Sequence, residues 1–116
     1  MNTFSAFLWN SDAAKSLENA TNGTGRAIPL NHCRQVGWFI KYTGTVSGGT
    51  IIIEWAPEEN YAETWQQLDS INAANLAAGT EGSGTFAGPI GFVRARISSA
   101  ILGGGNITAL INGLQN

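Results

Sequence analysis

"VGWFIKYTGTVSGGTIIIEWAP", residues Val36–Pro57, decides the fold class. In its first half Val36, Trp38, Ile40 and Tyr42 fall on one face, and Gly37, Phe39 and Lys41 on the other. In its second half Ile51, Ile53 and Trp55 alternate with Ile52 and Glu54. Period-two alternation rich in β-branched and aromatic residues marks half-buried strands. Ser47-Gly48-Gly49 between the two runs reads as a hairpin loop in which glycine supplies positive φ. The phase places Trp38 and Trp55 in the core with Val36, Ile40, Ile51 and Ile53.

The same period recurs downstream. Val93, Ala95 and Ile97 alternate with Phe92, Arg94 and Arg96, and Ile107, Ala109 and Ile111 with Thr108 and Leu110. Weaker strands are expected at 4–9, 15–20, 26–30, 64–71 and 84–87. Glycine-rich stretches at 22–25, 77–84 and 103–105 supply turns. "SINAANLAAG" (70–79) has the alanine content of a helix, but it is short and ends in Gly, so a helical turn is not expected there. "APEENYAETW" (56–65) reads as a polar loop. No repeat or linker divides the chain. One all-β domain over 1–116 is expected: an antiparallel β-sandwich, jelly-roll-like, of about eight short strands.

Composition narrows the function classes. Of the 116 residues 43% are hydrophobic, but only 12% are charged, half the usual share of about 25%. Solubility therefore leans on Asn, Gln, Ser, Thr and Gly. The net charge is −2 and the six basic residues are scattered, so no electrostatic footprint for nucleic acid exists. The single Cys33 excludes an internal disulfide and is too little for a cysteine metal site, and points to a reducing cytosol as the place of synthesis. "MNTFSAFLWN" lacks the basic and apolar regions of a signal peptide, and no apolar run nears the roughly 20 residues that span a bilayer. No membrane association is expected. The sequons at Asn19, Asn22 and Asn106 are then chance matches in an Asn/Thr-rich chain.

No catalytic constellation emerges. His32 and Cys33 are sequence neighbours between two strands and point to opposite faces, which does not suit a base–nucleophile pair. Glu58, Glu59 and Glu63, with Asp12 and Asp69, offer carboxylates, but their spacing fits neither a calcium loop nor a glycosidase pair. No phosphate-binding glycine loop and no nucleophile elbow is present. No cofactor, no metal and no enzymatic activity are expected. Trp9 ends its strand and Trp65 follows the acidic loop, so both are candidates for exposure; with Tyr61 they make a glycan- or receptor-binding platform the alternative reading. Arg94 and Arg96 share a face with Phe92. Two arginines on one face mean that water or another subunit covers it, and an arginine fork suits contacts between subunits.

Three stretches together carry a resemblance: Thr43–Ile53, Trp65 with Leu68–Asp69, and Phe92–Arg96. Their order is similar to that of small bacteriophage virion proteins, in which a Gly-Thr-rich turn and apolar strand precede a loop, Trp and Leu-Asp, and then Phe/Tyr-Val-Arg-Ala-Arg. The similarity spans about residues 36–112. "PEENYAE" (57–63) departs from it, because a shorter Asp-Gly-Thr/Asn turn before the Trp is more usual. The resemblance implies a module of capsid cement or decoration proteins, head fibres or tail attachments. It implies as partners the major capsid protein and further copies of the chain in a homotrimer, and as location the outer capsid surface after synthesis in the bacterial cytoplasm. Arg94, Arg96, Glu58, Glu59, Tyr61, Glu63, Trp65 and Trp9 are the expected interface residues. Residues 1–30 lie outside the pattern and are expected to add a strand or an arm that contacts a neighbour.

Overall fold

The fold is that of a computed structural model, which describes residues 15–30, 33–79, 82–87 and 91–114. Among the described residues nine strands follow one another: β1 (Lys15–Ala20), β2 (Gly23–Thr24), β3 (Ile28–Pro29), β4 (Gln35–Thr43), β5 (Gly48–Ala56), β6 (Gln66–Asn72), β7 (Ser83–Ala87), β8 (Phe92–Leu102) and β9 (Asn106–Leu114). A short helix, α1 (Ala74–Ala78), lies between β6 and β7. The strands form two antiparallel sheets. A four-stranded sheet has the order β1-β9-β4-β7, and a five-stranded sheet has the order β2-β8-β5-β6 with β3 also on β8.

This order is a jelly roll. β2 and β3 pair with successive parts of β8 and act as one interrupted strand. The pairs β1–β9, β2/β3–β8, β4–β7 and β5–β6 are then nested, as in one long hairpin whose tip is residues 57–65. Rolling that hairpin up brings β4 onto β9 and β5 onto β8, and these contacts close the two sheets. The fold class expected from alternation is the one found.

One expectation from sequence is corrected here. β4 and β5 do not form a hairpin. Ser47-Gly48-Gly49 carries the chain from one sheet to the other, and β4 pairs with β9 and β7 while β5 pairs with β8 and β6. Gly49 does have positive φ, at 115°, and a Cβ there would meet the Ala100 carbonyl at 2.8 Å. The glycine is needed for close approach to β8 and not for a tight turn between partners. Both strands present apolar inner faces, so crossing the sandwich buries them against each other, which pairing in one sheet would not do.

A helical turn also forms where none was expected. Leu76 of α1 is buried, the Asn72 side chain accepts from the Ala74 N–H at 3.1 Å, and Gly79 closes the turn in the left-handed region at φ 74°. The alanine propensity prevails because Leu76 gains a place in the core. The strand expected at 26–30 is broken: only Ile28–Pro29 pairs, while Gly23–Thr24 pairs separately.

The core lies between the sheets. Val36, Trp38, Ile40, Ile51, Ile53, Ile71, Val93, Ala95, Ile97, Ile107, Ala109 and Ile111 form one buried cluster, the inner faces assigned by alternation. Trp55 is half-buried at its margin rather than inside it. Two polar ties cross the sandwich. The Trp38 Nε1–H donates to Asp69 Oδ2 at 3.2 Å, from β4 to β6. The Ser16 hydroxyl donates to the Arg26 carbonyl at 2.7 Å and accepts from the Ala95 N–H at 2.9 Å. Each supplies a partner to a group that burial would otherwise strand.

Candidate functional site

The outer face of the five-stranded sheet holds the densest chemistry among the described residues. Glu54 on β5 lies directly opposite Arg94 on β8, and Ile52 lies opposite Arg96. Glu54 is only 3% exposed, although it points away from the core. Its carboxylate accepts from Arg94 Nε at 2.7 Å, from Arg96 Nε at 3.2 Å and from Arg96 Nη2 at 3.3 Å. Two guanidinium groups thus share one carboxylate, and the trio keeps a net charge of +1. Charge-assisted bonds of this kind hold the carboxylate where water cannot.

Trp65 completes the cluster. The Arg94 guanidinium carbon stands 3.8 Å from the centre of the Trp65 ring, a cation–π stack. The indole N–H donates to the Tyr61 carbonyl at 3.1 Å. Residues 57–65, the tip of the long hairpin, therefore fold back and lay an aromatic plate beside the ion pair. Pro57 starts this loop directly after Ala56, the last residue of β5. It has no N–H to continue a ladder.

The residues expected at an interface separate into two groups. Arg94, Arg96 and Trp65 are brought together. Glu58, Glu59 and Glu63 are exposed around the loop and Tyr61 is half-buried. Trp9 lies outside the described residues, as do Asp12 and His32. Trp65 is 8% exposed, against the expectation of an exposed ring, because Arg94 and its own loop cover it. Water or another subunit is also not what chiefly meets the two arginines: an acid of the same chain does. Glu54 was the residue that sequence reasoning passed over. The signal was its place in alternation, on the outward parity of a strand otherwise composed of isoleucines.

Asp69 is not in this cluster. It lies opposite Ile53 on the inward parity, after a bulge in the β5–β6 ladder that skips Leu68, and it serves Trp38. Cys33 is half-buried, and desolvation pushes its thiol above the ordinary pKa. A thiol so shifted is a poorer nucleophile at neutral pH. Among the described residues no three His, Cys, Asp or Glu side chains are placed to share a metal ion, and no helix is long and apolar enough to cross a membrane.

The arrangement can do one thing well. It presents a rigid, cationic and aromatic patch. Arg96, with 37% of its side chain exposed, is its accessible donor. No protein-family model and no curated protein matches the chain.

Proposed function

We propose that the chain is a non-catalytic structural protein of a bacteriophage virion, acting as a capsid cement or decoration protein on the assembled shell. The observation that carries this reading is convergence. The stretches whose order carries the resemblance, Thr43–Ile53, Trp65 with Leu68–Asp69, and Phe92–Arg96, come from distant parts of the chain and lie on or next to the adjacent strands β5, β6 and β8. There Trp65, Arg94 and Arg96 gather on Glu54, the residue that follows the first stretch. The jelly-roll order supports the reading at the level of architecture, since viral capsid domains use it, although lectins use it too.

Low charge adds support. A surface carried by amides and hydroxyls is suited to wide contact with neighbours at small desolvation cost. A cement protein acts by mass action, binding the assembled lattice and not the free subunit. In a homotrimer, one edge of each copy meets a different edge of the next around a closed ring. The glycan-binding alternative is weakened by one observation: Trp65 spends its ring on Arg94 and so has little face left for a sugar.

Electron microscopy of virions labelled with an antibody against this chain tests the proposal. Label spread over the head is expected. Label confined to the tail tip overturns the cement role and favours receptor binding.

A further inference from the structure

The cluster on the five-stranded sheet keeps a charge of its own, and the chain carries the opposite charge close by. Nε of Arg94 and Nε and Nη2 of Arg96 donate to Glu54. Among the described residues nothing accepts from the Nη groups of Arg94 or from Nη1 of Arg96. Arg96 stands in a row with Thr24, Ile52 and Ser70, across β2, β8, β5 and β6, and none of these neighbours is acidic. One carboxylate shared by two guanidinium groups therefore leaves donors and a positive charge at the surface. The buried Glu54 fixes both forks in place.

The acids of the described residues divide in the opposite sense. Glu18 pairs with Lys15, Glu54 with the two arginines, and Asp69 accepts from Trp38. The other three, Glu58, Glu59 and Glu63, all sit exposed on the hairpin tip, and no ion pair with a described residue engages them. Like charges so close along the chain repel one another. The tip itself is held at its base, since the Trp65 indole donates to the Tyr61 carbonyl and its ring lies on Arg94. That ring, and not a carboxylate of the tip, occupies the face of the Arg94 guanidinium. Neither the surplus cation nor the surplus anions are neutralised inside the described chain. A tip held in this way has little conformational freedom to lose on binding, and its carboxylates match the planar fork of an arginine.

We propose that the 57–63 tip of one copy docks on the Arg94–Arg96 pair of the next, where a glutamate of the tip takes the residual charge of the cluster. The contact joins two different surfaces, so it is heterologous and can close into a ring. It rests on the homotrimer part of the reading above and supplies the surfaces that meet. It does not require a capsid.

Sedimentation velocity of the full chain, without capsids, tests the contact. The chain is expected to associate as its concentration rises and to dissociate in high salt. Arg96→Gln, and separately the combined Glu58→Lys, Glu59→Lys and Glu63→Lys, are expected to raise the dissociation constant about tenfold or more. Lys41→Glu, on the outer face of the other sheet, should leave it unchanged. A mixture of Arg96→Glu chains with the lysine-tip chains should form complexes that hold both, because patch and tip have then exchanged charge. Where circular dichroism shows Arg96→Glu unfolded, single cysteines in a Cys33→Ala background replace it. Thr24→Cys chains mixed with Glu59→Cys chains should form the mixed disulfide faster than Lys41→Cys chains do with the same partner. A wild-type chain that stays monomeric overturns the proposal. So do association that survives Arg96→Gln, an equal loss from Lys41→Glu, and a mixture without joint complexes or preferred crosslinks. Antibody label over the head beside a monomeric chain would remove this contact and leave the cement role, whereas label at the tail tip beside association lost in Arg96→Gln would do the reverse.

Discussion

The outer faces of the two sheets solve the same problem in opposite ways. On the five-stranded sheet the outward positions of β5 and β8 carry Ile52, Glu54, Arg94 and Arg96, and they are closed by charge pairing and by Trp65 from the hairpin tip. On the four-stranded sheet the outward positions of β4 and β9 carry Phe39, Lys41, Thr108 and Leu110. The first face is a finished, preorganised patch. The second carries a groove lined by Trp38, Phe39, Lys41, Thr85 and Leu110. Burial on an outer face thus has two physical sources, and only one of them uses residues that alternation would flag as polar.

Breaking the first face should have the largest effect. Glu54→Gln leaves two guanidinium groups crowded without their counter-charge. The cost expected in urea unfolding is about 3 kcal/mol, at the low end for a severed buried pair because Arg96 is partly hydrated. Replacing Glu54, Arg94 and Arg96 together by Leu, Met and Met should recover most of that loss, since apolar residues of like volume need no partner. If the triple variant is no more stable than Glu54→Gln, the cluster is held by something other than charge pairing.

Trp65→Ala should come next, with a loss of about 2–3 kcal/mol from the plate and the stack on Arg94. Trp38→Phe keeps an aromatic ring in the core but removes the indole N–H that ties β4 to Asp69, together with part of the ring volume. A loss of about 1–2 kcal/mol in unfolding free energy, read from urea titration, is expected, and it marks the tie between sheets as weaker than the cluster on one sheet. Arg96→Lys should cost less than about 1 kcal/mol in stability. It should nonetheless weaken binding to phage capsids in a sedimentation assay, because a lysine cannot keep Glu54 and a partner group in one planar fork. Equal capsid binding by the Lys variant would remove Arg96 from the interface.

The smallest effect concerns Cys33, which adjoins the end of β9. Burial raises its thiol pKa, so the folded state favours the neutral thiol. The stability linked to this group is fully present below the ordinary thiol pKa and is lost as pH rises through the raised value. Acidification should therefore leave it untouched. Alkylation by iodoacetamide at neutral pH should be slower in the folded chain than in urea, and equal rates would contradict the shift.

Much of this was legible in the residues. Alternation in 36–42, 51–55, 93–97 and 107–111 identified four long strands and their inner faces, because each inward position must find apolar neighbours whatever the sheet order. The candidate arginines were visible for the same reason. Their partner was not, because alternation gives a residue's face but not its neighbour across the ladder: Glu54 and Arg94 are forty positions apart. Trp65 was assigned the wrong exposure because a loop residue has no parity from which burial can be inferred.

The sequence by itself determined the class of the fold, most of the core residues of the long strands and the shortage of charge, all of which follow from local period and composition; Tyr42, in phase with the inner face, is 40% exposed at the end of β4. Tertiary structure alone decided three matters. It sent β4 and β5 into different sheets, since a glycine-rich connection permits either pairing and only the burial of both inner faces selects one. It turned 74–78 into a helix, since Leu76 had to reach the core. It also joined Glu54, Arg94, Arg96 and Trp65 into one cluster, since rolling the long hairpin is what lays β5 against β8 and brings its tip back over them.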